Sequence, residues 1–274
     1  MELAEHESDL GECKTRYPLL LVHGTGSRDD RRLNCWGRIP QALKEAGAEV
    51  YYSNQDAWGT IEDNAETIKE RILTVLSASG KEKVNIIALS KGGLEARYMI
   101  SRLAMENHVA SLTTISTPHF GSKTMDFFYK TQKPLLKFSA MIINPIYRRQ
   151  GDKYPDFYNL CRQLTTSHCH RFNQEIINSD KVYYQSYASF MKKSNSDMLF
   201  FIQHAVVKRF DGESDGIVSV ASAKWGNFMG IITATGIRGV SHADLRDLRR
   251  IGPSGDHIVN VYKDMVSGLR EKGF

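Results

Sequence analysis

The chain has 274 residues, 41% of them hydrophobic and 24% charged, and its 36 Lys and Arg against 31 Asp and Glu give a formal charge of +5. That length and apolar content suit one α/β domain with a sizeable core, the charge is too small and too mixed in sign for a nucleic-acid-binding surface, and no apolar run approaches the roughly 20 residues that cross a bilayer. The acidic start, Met1 to Asp9, lacks the basic head and apolar middle of a secretory leader. This predicts a cytoplasmic protein, one exported without a leader, or one whose leader has been removed.

Residues 1–16 read as an N-terminal extension to a single domain over 17–274. Tyr17 to Val22 is a short, almost wholly apolar strand of the kind found in parallel sheets covered on both faces, and it ends in the tight loop His23-Gly-Thr-Gly26. Trp36 to Ala46 reads as a helix stopped by Gly47, and Glu49 to Tyr52 as the next strand. Thr60, with Asp63 three residues on, caps a long helix with the apolar face Ile61, Ala65, Ile68, Ile72, Val75 and Leu76, ended by Gly80. Val84 to Leu89 is a strand, Lys91 to Leu103 a helix and Ser111 to Ser116 a strand, an alternation that predicts a doubly wound, mostly parallel sheet. Between Gly121 and Gly151 the alternation stops. Aromatic and aliphatic residues such as Phe127, Leu135, Phe138 and Met141 crowd in beside Lys123, Lys130, Lys133 and Lys137, and Pro134 and Pro145 divide the stretch into pieces. The order then resumes with a helix over Thr166–Asn178, a strand over Val182–Tyr187, a helix over Asp197–Val207, a last strand over Phe228–Thr235 and an amphipathic helix over Asp256–Arg270.

Four cysteines, Cys13, Cys35, Cys161 and Cys169, form no C-x-x-C pair, which argues against structural zinc and fits free thiols. His168-Cys169-His170 falls in a helical pattern where adjacent residues face different ways, so it reads as ordinary helix sequence.

The chemistry concentrates where Val84 to Leu89 runs straight into Ser90-Lys-Gly-Gly and a helix. A serine on such a turn holds its hydroxyl clear of the backbone, with a helix N-terminus behind it that favours negative charge. The pattern is G-x-S-x-G with Ala88 in place of the first glycine and Gly92 as the second. A nucleophilic serine needs a base, an acid to orient it, and donors for the developing oxyanion. The base is read as His242, in Gly239-Val-Ser-His-Ala-Asp244 after the last strand, with His257 at the start of the final helix as its rival. His119 precedes any candidate acid and reads as a residue lining the site. The acid is read as Asp215, in Glu213-Ser-Asp-Gly-Ile-Val218, with Asp211 and Asp197 as alternatives. The oxyanion donors are the backbone N–H groups of Thr25, in the glycine loop, and of Lys91, which serves through its amide and not its ammonium.

Taken with the segments Tyr17 to Gly24, Ala46 to Tyr51, Lys83 to Ile87, Ala96 to Tyr98, Val109 to Ser122, Leu164 to Thr166, Phe172-Asn173, Tyr183-Tyr184, Asp215 to Val218 and Trp225-Gly226, the chain resembles the bacterial triacylglycerol lipases of the Pseudomonas, Burkholderia and Proteus type. The resemblance runs from about Tyr17 to the C-terminus and is weakest between Lys123 and Arg149. It implies an α/β-hydrolase fold, a mostly parallel doubly wound sheet with a helical lid or cap insertion at about 123–160. It implies a lipase or carboxylesterase acting on triacylglycerols or other long-chain esters, with Ser90, Asp215 and His242 as triad and Thr25 and Lys91 as oxyanion donors. The implied partners are the lipid or acyl-ester substrate and a lipid interface met through the lid, with no nucleic acid. No cofactor is required. Many members hold calcium, and Asp244 matches one ligand, but Leu248 stands at a glutamine position and Ser194 at an upstream aspartate, with Asp197 nearby. Ala221 replaces a cysteine that some members have. A short-chain esterase, thioesterase or lysophospholipase would use the same residues, and a non-catalytic receptor would use the fold without them.

Overall fold

Six short strands pair side by side in a wholly parallel sheet: β1 (Leu19–Val22), β2 (Val50–Tyr52), β3 (Val84–Leu89), β4 (Val109–Ile115), β5 (Tyr183–Ser189) and β6 (Asn227–Ile232), in the order β2-β1-β3-β4-β5-β6. This computed structural model describes residues 11–29, 35–234, 237–248 and 257–274. The first ten residues of the expected N-terminal extension, Thr235 of the last expected strand and Asp256 of the final expected helix lie outside the described residues.

β1 reads as an unbroken apolar run, and β3 is broken only by Asn85, because both of their faces are covered. Leu19, Leu21, Ile87, Leu89 and Ile115 point into one core with Trp36, Ile39, Leu43, Tyr262, Met265 and Val266, from the helices Ile39–Glu45 and His257–Glu271 and the turn before the first of them. The intervening Leu20, Val22, Ile86, Ala88 and Leu112 point into a second core with Ile68, Ile72, Val75, Met99 and Ile100, from the helices Ile61–Ser79 and Gly92–Arg102. The period of two persists inside each run, but both phases are apolar. The doubly wound parallel sheet expected from the alternation is therefore present. Thr60 caps its helix as expected, accepting from the Asp63 N–H, and Gly80 ends it with φ +66°.

Three local expectations are corrected. The helix expected from Trp36 begins at Ile39, because Gly37 turns the chain at φ +53° and the first helical turn starts only beyond it. The helix expected from Asp197 is delayed to Phe201–Asp211: the Asp197 carboxylate accepts the Leu199 N–H at 2.8 Å and folds Met198–Phe200 into a 3₁₀ turn. Pro145 does not divide the crowded stretch, since Lys133–Gln150 is one helix, whereas a division does fall beside Pro134, where Lys123–Thr131 ends and the longer helix begins. Pro134 lies in the first turn, where its missing N–H has no partner to lose. Pro145 removes one N–H, the one that would bond the Met141 carbonyl, and Met141 is 73% exposed, so water can satisfy that oxygen.

That helix belongs to a group of three, Lys123–Thr131, Lys133–Gln150 and Phe157–Gln163, inserted between β4 and β5. The Asp211 carboxylate holds its entrance, accepting the Lys123 N–H (2.8 Å), the Thr124 N–H (3.0 Å) and the Thr124 hydroxyl (2.9 Å). Its exit is held by Asp152, which accepts the Ala57 and Trp58 N–H groups and pairs with Arg28, and by Asp56, which accepts the Lys153 and Tyr154 N–H groups. The middle carries Leu135, Phe138, Met141, Ile142 and Ile146 on its exposed face. Among the described residues, no helix is long and apolar enough to cross a membrane.

The sheet order reverses direction at β1, so the carboxyl ends of β1 and β3 open a crevice of the kind in which parallel sheets bind ligands. Gly92 sets how tightly that corner closes. A Cβ there would lie 2.6 Å from the His23 carbonyl oxygen and 2.8 Å from that of Val22, both rigid backbone. Gly92→Ala should therefore destabilise the fold by about 1–3 kcal/mol, lowering Tm by roughly 2–4 °C per kcal/mol. A thermal melt indistinguishable from wild type would mean that strand and helix have room to separate.

Candidate active site

Ser90 follows β3 directly, with φ +57°, a left-handed conformation that an L-residue adopts only under constraint. Its N–H donates to the Ile115 carbonyl at 2.9 Å and its carbonyl accepts the Gly93 N–H at 3.1 Å. The turn forms because small residues surround it. A Cβ on Gly24 would lie 2.7 Å from the Ser90 Cβ, and one on Gly93 would lie 2.2 Å from the Thr117 hydroxyl. Ser90 is 8% exposed, and its hydroxyl forms no hydrogen bond among the described residues.

Asp215 and His242 meet beyond β5 and β6. The His242 imidazole Nδ1 donates to Asp215 Oδ2 at 2.7 Å, and the His242 backbone N–H donates to the Asp215 carbonyl at 2.9 Å. The tight turn Asp215-Gly-Ile-Val218 turns its own N–H groups inward: Ile217 (3.0 Å) and Val218 (2.9 Å) both donate to Asp215 Oδ1. Gly216 makes this possible at φ +104°, where a Cβ would strike Phe200. Asp215 is fully buried. Burial disfavours its charge, but the His242 charge and hydrogen bond, with the two N–H groups, outweigh it and hold the carboxyl below its ordinary value. An ionised Asp215 fixes the proton on Nδ1 and leaves Nε2 of His242 as an acceptor. Ser189, the last residue of β5, places its hydroxyl 3.5 Å from Asp215 Oδ2, which puts the pair at the same end of the sheet as Ser90. Among the described residues, no hydrogen bond joins the Ser90 hydroxyl to the imidazole.

The backbone N–H groups of Thr25 and Lys91 have no acceptor among the described residues. The Lys91 side chain is spent elsewhere: it is buried, donates to the Gly59 carbonyl at 2.9 Å and pairs with Glu95. The alternatives to the acid and base have other work. Asp211 caps the inserted helices, Asp197 holds a 3₁₀ turn and accepts the Ser241 hydroxyl at 2.6 Å, and His257 donates to the Thr233 carbonyl.

For the calcium that the resemblance implies, Asp244 is the matching ligand position, while Leu248 and Ser194 stand at the others. The Asp244 carboxylate accepts the Ser241 N–H at 2.9 Å, closing the turn that carries His242, and Asp197 is similarly occupied by N–H and O–H donors. Calcium takes about six to eight oxygens with their lone pairs free. Among the described residues, no group of three His, Cys, Asp or Glu side chains converges as metal ligands.

His119 does not line the site. It is fully buried, accepts from Arg97 Nη1 at 3.2 Å through Nδ1, meets the Thr114 hydroxyl at 3.1 Å through Nε2, and stacks on Trp225 with centroids 5.3 Å apart. The Arg97 guanidinium lies 3.7 Å from the Trp225 centroid. This assembly supports the end of β4. Neither it nor Gln55, Asn64 and Glu95, which are linked to the Lys91 side chain, stand out in the sequence. The one signal present is the i, i+4 spacing of Lys91 and Glu95 on the helix after the serine.

A sequence model of the family described as palmitoyl protein thioesterase matches residues 18–210. The yeast (Saccharomyces cerevisiae) protein named triacylglycerol lipase 2 is 29% identical over 261 residues, covering 87% of this chain and 74% of its own length. A Burkholderia plantarii triacylglycerol lipase is 40% identical over 119 residues, 41% of this chain, and that match spans only 32% of the bacterial protein. The crystal structure of Staphylococcus hyicus lipase superimposes with a TM-score of 0.71 at 16% identity, covering 94% of this chain and 98% of that one. The likeness in sequence to bacterial triacylglycerol lipases and the α/β-hydrolase fold are both as expected.

Burial, and secondarily the Arg97 charge, hold the His119 pKa well below its ordinary value. His119 is therefore neutral in the folded protein, while in the unfolded chain it takes up a proton below about pH 6.5. Stability must fall as pH drops through that value, because the unfolded state then binds more protons. His119→Asn should flatten the pH dependence of the unfolding free energy between about pH 7 and pH 5 in denaturant titrations. An unchanged slope would show that His119 is protonated in place.

Proposed function

This chain belongs to the palmitoyl protein thioesterase family, and we propose that it hydrolyses carboxylic esters of long-chain acids, triacylglycerols among them, by a serine acyl-enzyme route. The single observation that carries the reading is the buried, ionised Asp215 bonded to His242 Nδ1 at 2.7 Å, at the same end of the sheet as a serine strained into φ +57°. His242 Nε2 takes the Ser90 hydroxyl proton as Oγ attacks the ester carbonyl. The oxyanion is received by the N–H groups of Thr25 and Lys91, which nothing else in the described chain uses. His242 then gives its proton to the departing alcohol, and water repeats the sequence to release the acid. Asp244 holds the His242 turn, and no step passes through a metal.

Two features support long-chain, water-insoluble substrates. Ser90 and His242 are only 8% and 7% exposed, so an ester reaches them after part of the structure moves. The inserted helix Lys133–Gln150 presents exposed Phe138 and Met141 together with Lys133, Lys137, Arg148 and Arg149 and no acidic residue, a composition suited to resting on a lipid surface. The insertion at about 123–160 is thus assigned as a lid that opens on its substrate phase. A second reading, cleavage of long-chain thioesters, is favoured by the family match itself; the same residues serve, with a thiol as leaving group.

Ser90→Ala should lower hydrolysis of p-nitrophenyl esters by at least about 10⁴-fold and remove fluorophosphonate labelling, with the thermal melt retained. Residual activity near wild type would refute the nucleophile. A substrate panel of triacylglycerols, soluble short esters and palmitoyl thioesters separates the two readings. Phe138→Asp with Met141→Asp should lower turnover of emulsified triacylglycerol while leaving dissolved p-nitrophenyl butyrate near wild type. Equal loss on both substrates would overturn the lid assignment.

A further inference from the structure

Lys91 and Glu95 are both essentially fully buried, one turn apart on the helix that follows Ser90. An ion pair this deep is a poor source of stability, since two apolar residues of similar volume often do as well or better. Its neighbours indicate another role. Lys91 Nζ also donates to the Gly59 carbonyl at 2.9 Å. Glu95 accepts the Asn64 side-chain amide at 2.7 Å and that of Gln55 at 3.2 Å. The Gln55 amide also donates to the His23 carbonyl at 2.9 Å. The His23 ring lies between the Gly24 carbonyl (2.9 Å) and the Gln55 carbonyl (3.1 Å). Just beyond, the Gly26 N–H donates to the Ala57 carbonyl at 3.0 Å. One buried polar chain therefore runs from the side chain of Lys91 to His23 and Gly24, just before Thr25, and a separate backbone bond holds Gly26 just after it.

We propose that the buried Lys91–Glu95 pair, acting through Gln55 and His23, holds the Lys91 and Thr25 backbone N–H groups at one fixed spacing, so that both reach the same oxyanion. The inference rests on the reading of those two N–H groups given above. The donors come from two loops far apart along the chain, and the sheet fixes only the strands beneath them. An oxyanion donor is effective because it is already in place when charge develops. A displacement of about 1 Å is enough to cost roughly 10²-fold in rate. The pair's charges make its bonds to Gly59, Asn64 and Gln55 stronger than neutral ones, and that stiffens the spacing. Lys91 and Glu95 are positioning residues: neither side chain touches the reacting ester.

The test is the double variant Lys91→Met with Glu95→Gln, which removes both charges together, keeps the Lys91 backbone N–H and still offers the Asn64 amide a side-chain oxygen. The companion Gln55→Leu cuts the link to His23 without touching the elbow. Rates are normalised to serine labelled by fluorophosphonate, so that loss of folded protein is not counted. In both variants kcat on p-nitrophenyl butyrate should fall by about 10- to 100-fold with KM little changed. Affinity for an alkylboronic acid, whose tetrahedral adduct needs the same donors, should weaken in parallel, and Lys91→Arg should retain more activity than the double variant. A double variant that folds with wild-type kcat and boronate affinity overturns the inference. So does a lowered Tm with normal kcat per labelled serine, which is what a merely structural pair would give. If wild-type protein is neither labelled at Ser90 nor active, the reading of the site itself has failed, and this inference falls with it.

Discussion

An L-residue held at φ +57° costs of order 1–3 kcal/mol, and at Ser90 that strain persists because the surroundings leave the chain no other path. Leu89 is locked in register with Ile115 on β4, and the Ser90 N–H is bonded to the Ile115 carbonyl. Immediately after, Gly92 is pressed against the carbonyls of Val22 and His23. The turn is trapped between two strands and a helix, and only glycine fits at 24, 92 and 93. The same crowding that strains the serine also brings β1 and β3 together at the sheet's reversal point. The strained serine and the crevice thus have a single cause.

The Asp215–His242 pair faces the opposite problem, that of keeping a charge in a place without water. Burial by itself pushes the Asp215 carboxyl up, toward the neutral form. The turn that follows it supplies two N–H groups to one oxygen and leaves the other for the imidazole. That division matters for chemistry, because it satisfies the carboxylate without diverting the oxygen that orients His242. Asp211 and Asp152 show the contrast: each spends both oxygens on backbone and side-chain donors that tie down segments, and neither faces a histidine.

The sheet and the residue types of the site were legible in the sequence because both leave local signatures. A strand covered on two faces is apolar at every position, and a serine between a β-branched run and two glycines marks a strand-to-helix turn. What stayed hidden was set by partners distant along the chain. His119 looks like a site residue from its position after β4, and its buried contacts with Arg97 and Trp225, both remote in sequence, leave no mark there. Pro145 looks like a break, and only the solvent beside Met141 makes the lost hydrogen bond tolerable. Asp244 sits at a calcium-ligand position, and only the fold shows that one of its oxygens closes the turn with Ser241. Each of these depends on what fills the space around a residue, and periodicity carries no record of that.

The inserted helices and the oxyanion loop share one anchor. Asp152, at the exit of the long inserted helix, binds the N–H groups of Ala57 and Trp58 and the guanidinium of Arg28. Ala57 in turn holds Gly26, and Gly59 holds Lys91. A lid that moved as a rigid unit about Asp152 would drag the segment 56–59 with it and disturb both proposed oxyanion donors. At the other end, Asp211 binds three groups of the first inserted turn, so that end resists displacement as well. The freedom lies between the anchors, in the single residue Gln132 joining two helices and in the exposed helix beyond it. In the lid reading proposed above, opening would bend there, with both ends fixed, and would leave the spacing of the proposed donors intact.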